Sequence, residues 1–228
     1  MIEILRPRMK RERFWGLLVK GPIISMSQSP LIEILQPISA PGVSGEIGFR
    51  MREIPFKTHV NLRGDANDSK FMICASSLLG IDLPLAPNAV VESSEWQVCW
   101  LGPDEWLLIG LADQDVLVEF QNQFLESHSA VVDLSGGQTI IRAGGHAWRD
   151  VLASACPLDL HPRAFKPRQC AQTVFAHTNV LLTSVSNDDG RGVRAVDIVV
   201  RRSFADHVCR WLIDAAAECG VEFEVPIE

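Results

Sequence analysis

From Phe56 onward, apolar and polar positions follow two periods, and the switches between them divide the chain into elements. Residues 56–63 alternate at every second position, as a half-buried strand does. Phe71, Cys74, Ala75, Leu78 and Leu79 then recur at helical spacing over 67–79, with Asp65 as the expected cap and Gly80 as the stop. The next run, Trp96-Gln97-Val98-Cys99-Trp100-Leu101-Gly102-Pro103-Asp104-Glu105-Trp106-Leu107-Leu108-Ile109-Gly110, sets aromatic and aliphatic flanks around Gly-Pro-Asp-Glu. Proline pre-sets φ for a turn and aspartate bonds its own backbone, so this run predicts a β-hairpin over 95–111. A second helix is expected near 113–127 from Val116, Phe120 and Phe124 at i, i+4 and i+8, followed by a strand at 130–134.

The second half repeats this order. Strands are expected at 138–143, 172–176, 180–185, 193–200 and 221–225, with a helix at 146–155 and a turn at Asn187-Asp188-Asp189-Gly190. Ser203 is the expected cap of a helix over 203–218, whose Phe204, Val208, Trp211, Leu212, Ala215 and Cys219 trace one apolar stripe before Gly220. The halves also echo in wording. Leu62-Arg63-Gly64-Asp65-Ala66 leads to Asp82-Leu83-Pro84, and Ile141-Arg142-Ala143-Gly144-Gly145-His146-Ala147 leads to Asp159-Leu160-His161-Pro162. The expected fold class is α+β: two related ferredoxin-like (β-α-β-β-α-β) units, 56–134 and 138–228, packed together in one domain over 56–228.

Residues 1–55 read as an irregular N-terminal segment. Within it, 27–55 is rich in Pro, Ser and Gly and lacks sustained periodicity, which suggests a tail draped over the domain. Residues 1–25 loosely resemble a signal peptide, but Lys20 and Pro22 interrupt the apolar run and no small-x-small site follows. Upstream sequence with a native start at Met26 is the simpler expectation.

Charge and composition narrow the function. The 228-residue chain carries −7 overall, yet residues 1–25 hold a surplus of +4, leaving −11 on the remainder. An acidic body argues against nucleic acid as a partner. No apolar stretch approaches the ~18 residues of a membrane span. The six cysteines, at 74, 99, 156, 170, 209 and 219, form no C-x-x-C pair. They read as free thiols, mostly small core hydrophobes, in a reducing cytoplasm.

No catalytic, cofactor-binding or metal residue can be assigned from motifs. Leu134-Ser135-Gly136-Gly137-Gln138 matches the signature of ABC-transporter ATPases letter for letter, but it precedes the β-prone Thr139-Ile140-Ile141 and no phosphate-binding Gly-rich loop accompanies it. A tight link between the two halves is the better reading. Cys156 with His161, and Cys170 with His177, lack zinc spacing. Asp104 and Glu105 read as turn residues, and Asp133 as a backbone cap at a strand end. Arg194, Arg201, Arg202 and Arg210 could grip an anion, though a polar interface rim explains them as well. Trp96, Trp100 and Trp106 could stack on a flat ligand such as folate, though core or subunit interface is the more economical role.

The wording of the Trp hairpin resembles the gamma subunit family of heterotetrameric sarcosine oxidase. So do Asn61-Leu62-Arg63-Gly64-Asp65-Ala66, Val132-Asp133-Leu134-Ser135, Cys156-Pro157-Leu158-Asp159-Leu160-His161-Pro162-Arg163-Ala164-Phe165, Cys170-Ala171-Gln172-Thr173 and Val200-Arg201-Arg202-Ser203-Phe204-Ala205. The likeness spans about residues 46–220. More distantly the chain is similar to the folate-binding fold of the glycine-cleavage T-protein, an aminomethyltransferase. The T-protein's catalytic aspartate has no clear counterpart near Ser93-Ser94-Glu95. Lys166-Pro167-Arg168-Gln169-Cys170 is a poor match to the K-G-C motif of related tRNA-modifying folate proteins. The resemblance implies a non-catalytic, cytoplasmic subunit beside alpha, beta and delta subunits, with alpha in direct contact. That complex turns sarcosine into glycine and peroxide, or makes methylene-tetrahydrofolate. Its FAD, FMN, NAD, zinc and tetrahydrofolate would sit in the other subunits. The alternatives are a free-standing folate-dependent aminomethyltransferase-like enzyme and an unrelated small-ligand binding module.

Overall fold

The computed structural model describes residues 28–32, 37–110, 115–124, 128–186 and 193–224. In chain order these form β1 (Ile38–Pro41), β2 (Phe49–Ile54), β3 (Thr58–Arg63), α1 (Ser69–Leu79), β4 (Val90–Glu92), β5 (Trp96–Gly102), β6 (Glu105–Gly110), α2 (Asp115–Gln123) and β7 (Ala130–Asp133). There follow β8 (Gln138–Gly144), α3 (Trp148–Ala153), β9 (Cys170–Phe175), β10 (Thr178–Ser186), β11 (Val193–Arg201), α4 (Ala205–Ala215) and β12 (Gly220–Glu224). The expectations for residues 1–25, for the turn at 187–190, for residue 225 and for the outermost residues of the second helix lie outside the described residues, as does the side chain of Val116.

The strands form two sheets, ordered β4-β5-β6-β3-β7 and β1-β12-β2-β8-β11-β10-β9. In the five-stranded sheet the hairpin forms as expected, with β5 and β6 paired antiparallel from Trp96 opposite Gly110 and a register irregularity between Trp100 and Gly102. Period-two alternation splits β6 between two cores. Trp106 and Leu108 face α1 and α2, whereas Leu107 and Ile109 face the other sheet. α1 buries Phe71, Ala75 and Leu79. Its cap is Asp68, which accepts from the Lys70 N–H at 2.9 Å, and not the expected Asp65, whose carboxylate takes the Asn67 N–H at 2.9 Å one turn earlier. Gly80 ends the helix as expected, in the left-handed region (φ 65°) and donating to the Ser76 carbonyl at 3.0 Å. Aromatic contacts close this layer: Phe71 with Trp106 at 5.9 Å and Trp96 with Phe120 at 5.5 Å between ring centroids.

The seven-stranded sheet corrects two expectations. Ile38–Pro41 and Phe49–Ile54, expected to lie in an irregular tail, are strands. β2 is an interior strand, parallel to β12 and antiparallel to β8. A β-α-β-β-α-β unit made from the second half alone would bring β12 beside β8, and β2 occupies that position instead. Phe49 and Met51 of β2 enter the core under α3 and α4. Glu53, the third inward residue, is buried, and its carboxylate accepts hydrogen bonds from the Thr139 hydroxyl at 2.6 Å and from the Ser29 hydroxyl. Leu31, fully buried, anchors the same stretch.

The last helix also differs in phase. It starts at Ala205, after a 3-10 turn at Arg202–Phe204, with Phe204 in place of Ser203 at the cap. The 3-10 turn rotates the face presented to the sheet, so Ala205, Val208, Cys209 and Leu212 are buried, while Phe204 and Trp211 remain 44% and 42% exposed. Small residues at 205 and 209 let the helix approach the sheet closely, and the indole lies outside.

Two tryptophans should therefore respond differently to truncation. Trp106 is fully buried and its indole N–H donates to the Pro84 carbonyl at 2.8 Å. In urea unfolding we expect Trp106→Ala to cost about 3–5 kcal/mol, through the cavity and the orphaned carbonyl. Trp211→Ala should cost under ~1 kcal/mol, as exposed substitutions do. Equal costs would contradict this packing.

Candidate functional site

The two sheets meet through an apolar layer. Val90, Cys99, Leu107 and Ile109 come from the five-stranded sheet; Ile140, Cys170, Leu181 and Val199 come from the seven-stranded one. Where the sheets diverge, a cleft of about 710 Å³ opens between them. Its polar lining comes from six strands: Asn61 on β3, Glu105 on β6, Gln138 on β8, Gln172 and Thr173 on β9, Asn179 on β10 and Arg201 on β11. Leu101, Leu107, Leu134, Leu181 and Val199 supply apolar wall. Alternation puts these polar side chains here, because their strand neighbours, such as Leu62, Trp106 and Val200, fill the outer cores.

Hydrogen bonds fix part of the lining. Asn61 Nδ2 donates to Glu105 Oε1 at 2.8 Å, and Gln172 Nε2 donates to the Leu101 carbonyl at 2.8 Å. The Gln138 side-chain oxygen is buried and has no hydrogen-bond partner among the described residues. Among the described residues the only carboxylate in the lining, Glu105, is thus engaged by an amide, and no thiol or imidazole lines the space. Amides, one guanidinium, the Thr173 hydroxyl and an apolar wall equip the cleft to bind; among its described lining residues no nucleophile is paired with a base.

The segment between β7 and β8 forms the link expected of it. Asp133 Oδ1 accepts the Ser135 N–H at 2.8 Å, and Ser135–Gly137 makes one 3-10 turn. Ser135 Oγ accepts the His59 N–H at 3.0 Å, and the Leu134 N–H donates to the His59 carbonyl at 2.8 Å. The Leu134–Gln138 motif therefore enters a strand and does not open a helix that could face a phosphate.

His59 lies fully buried under this link. Its Nδ1 stands 3.0 Å from the Lys57 carbonyl, and its Nε2 has no partner among the described residues. Burial dominates its titration and lowers the pKa to about 4, against the opposing pull of the Lys57 carbonyl and the Asp133 charge. The ring is therefore neutral near pH 7, and a proton on Nδ1 satisfies the Lys57 contact.

The other residues singled out in the sequence do not converge. Asp104 sits in the hairpin turn, 3.0 Å from the Arg63 guanidinium. Arg210 pairs with Asp206 one turn back on α4 at 3.0 Å, and Arg202 donates to the Gln28 carbonyl. Only Arg201 reaches the cleft; Arg194 lines a separate groove of about 370 Å³ with Arg50, Arg52 and Arg142. Trp96 and Trp106 are buried in the helix-side core, with Trp100 packed against it, so they form no ligand platform.

Cys156 lies 3.7 Å from the Thr173 hydroxyl, and Cys170 contacts the Trp100 carbonyl at 3.3 Å. His177 sits in the β9–β10 turn at φ 64°. Among the described residues no three His, Cys, Asp or Glu side chains gather as a metal site. The hydrogen bond with Cys170, then burial, holds the Cys99 thiol well above its ordinary range, and burial pushes Cys209 up to about 12. Both remain protonated and neither is an activated nucleophile. Asn179 lies in no sequence motif, and the motifs that hold Asn61, Gln138 and Gln172 do not point to a shared cleft. Arg50 and Arg52 did carry a signal, the alternation Phe49-Arg50-Met51-Arg52-Glu53, which is short and flanked by turn residues.

Comparison with known proteins adds what the geometry cannot. The family model described as "Sarcosine oxidase, gamma subunit family" matches residues 63–218. Sarcosine oxidase subunit gamma of Corynebacterium sp. (strain U-96) is 32% identical over 194 residues, which cover 85% of this chain and 91% of that protein. The same subunit of Corynebacterium sp. (strain P-1) is 32% identical over 199 residues, 87% and 94% of the two chains. Among solved structures, a chain of heterotetrameric sarcosine oxidase from Corynebacterium sp. U-96 in complex with pyrrole 2-carboxylate superimposes with a TM-score of 0.67. Its identity is 33%, over 75% of this chain and 84% of that one. Glycine cleavage system aminomethyltransferase T from Bartonella henselae gives a TM-score of 0.57 at 16% identity, over 78% of this chain and 48% of that one, a likeness of fold.

The buried His59 makes stability pH-dependent. Below about pH 6.5 the unfolded chain takes up a proton that the folded ring refuses, so this contribution is complete above 6.5 and is lost as pH falls toward 4. The full loss amounts to about 3 kcal/mol. His59→Leu cannot titrate there, and the stability difference between it and the parent chain should change by about that amount between pH 7 and pH 4. A difference independent of pH would contradict the burial of a neutral ring.

Proposed function

The chain belongs to the sarcosine oxidase gamma subunit family, and we propose that it acts as the non-catalytic gamma subunit of a heterotetramer that oxidatively demethylates sarcosine to glycine. The observation that carries this reading is identity of about one third across 85% of the chain, together with the same fold in a chain of a heterotetrameric sarcosine oxidase. The chain's own chemistry agrees. Its cysteines are mostly buried, its single cleft carboxylate is bonded to an amide, and its described residues offer no three-ligand metal cluster. FAD, FMN, NAD, zinc and tetrahydrofolate then belong to the partner subunits, with alpha in direct contact and beta and delta completing the complex. A cytoplasmic setting suits the free cysteines. No helix among the described residues is long and apolar enough to cross a membrane.

We also read the fold as two related α+β units, 56–134 and 138–228. In the first, the sheet order β7-β3-β6-β5 supports a ferredoxin-like arrangement. In the second, the corresponding order holds once β2 is counted as an inserted strand.

A tag at the C-terminus of this chain, co-expressed with the candidate alpha, beta and delta subunits, tests the assignment. The full set should co-purify as one species through size-exclusion chromatography. Elution of this chain alone, as a monodisperse monomer, would contradict the subunit reading and favour a free-standing aminomethyltransferase-like protein.

A further inference from the structure

The face of the seven-stranded sheet that meets the other sheet is only partly covered. Ile54 and Ile140 pair in register and pack in or against the apolar layer, but one step along each strand Arg52 opposes Arg142 on the same face. Among the described residues, β1 and β12 contribute nothing to the layer between the sheets, so this end of the sheet is left open. On it lies the arginine groove. Arg142 forms a two-pronged pair with Asp197, both contacts at 2.7 Å, and Arg50 pairs with Glu222 at 2.7 Å. Arg52 and Arg194 also line the groove, are exposed, and make no ion pair among the described residues.

We propose that this groove receives an acidic segment of a partner subunit, whose Asp or Glu carboxylates pair with Arg52 and Arg194. The inference rests on the subunit reading above. A planar guanidinium fork matches a carboxylate with two parallel hydrogen bonds, and the two internal ion pairs hold the neighbouring arginines in place without occupying these. The chain as a whole carries −7, whereas the groove's lining sets four arginines against Glu224, so an acidic segment is drawn to it. The interleaved Glu222, Glu224 and Asp197 disfavour a continuous phosphate backbone, which needs an unbroken basic track.

The test uses the co-expressed complex. Arg52→Glu combined with Arg194→Glu should weaken association of this chain with its partners at least ~10-fold at low salt and flatten the salt dependence of assembly. Arg163→Glu with Lys166→Glu, exposed residues that change the net charge equally, should leave both unchanged. Should charge reversal lower the melting temperature of the isolated chain, Arg52→Gln with Arg194→Gln carries the test, and the same loss of affinity and of salt dependence is expected. If the parent complex assembles and the groove variants assemble with the same affinity and salt dependence, the groove is not the docking site and the subunit reading stands. If the parent chain does not assemble, the subunit reading fails and takes this proposal with it.

Discussion

The apolar layer between the two sheets is the interaction on which the rest depends. Val90, Cys99, Leu107, Ile109, Ile140, Cys170, Leu181 and Val199 are each less than a tenth exposed. Removing aliphatic surface of this kind from water gains roughly 25 cal/mol per Å². Because the layer covers the middle strands on one side while helices cover them on the other, β6 and β11 are buried on both faces, and Leu107–Gly110 and Val196–Val200 read as unbroken buried runs. Gly110 shows how tightly the hairpin closes, since a Cβ there would stand 2.6 Å from the Trp96 ring. Beyond the layer the sheets diverge, and polar openings lie at its margins: the cleft at Arg201, the groove at Arg52 and a smaller one lined by Ser93, Ser94 and Glu95.

Much of the fold could be read from the residues where one period dominated. α1 and the Trp hairpin follow from local pattern and turn chemistry alone, whereas the strand expected from Phe56 starts at Thr58 and buries Thr58, His59 and Val60 in succession. What escaped depended on distant partners. β2 has only six residues among Pro and Gly, and its place between β8 and β12 is set by pairing across long loops, on which local pattern is silent. The stripe on α4 was misphased because Phe204 and Trp211 carry the greatest hydrophobicity, whereas the sheet accepts the smaller Ala205 and Cys209.

The cleft and the groove were less legible still. Glu105 and Arg201 stood out as charged residues, but their chain positions give no hint that they share a cavity. Asn61, Gln138 and Asn179 matter through alternation in strands that come together only in the tertiary fold. The arginines of the groove are scattered in the sequence: Arg194 stands with Arg201, Arg202 and Arg210, from which the fold separates it, while Arg50 and Arg52 alternate on a short strand and Arg142 lies on another. A sheet face that the described residues leave partly uncovered is a property of strand count, seven against five, and no sequence window contains it.

A packed sandwich whose Cys99 thiol is held protonated, with an open charged margin, fits a protein that works through its surface. The most direct measurement is sarcosine-dependent oxygen uptake by the assembly purified through this chain, set beside uptake by the isolated chain. The account predicts uptake with peroxide formation in the assembly and none from the isolated chain. An assembly inert toward sarcosine, or folate-dependent methylene transfer by the isolated chain, would contradict it.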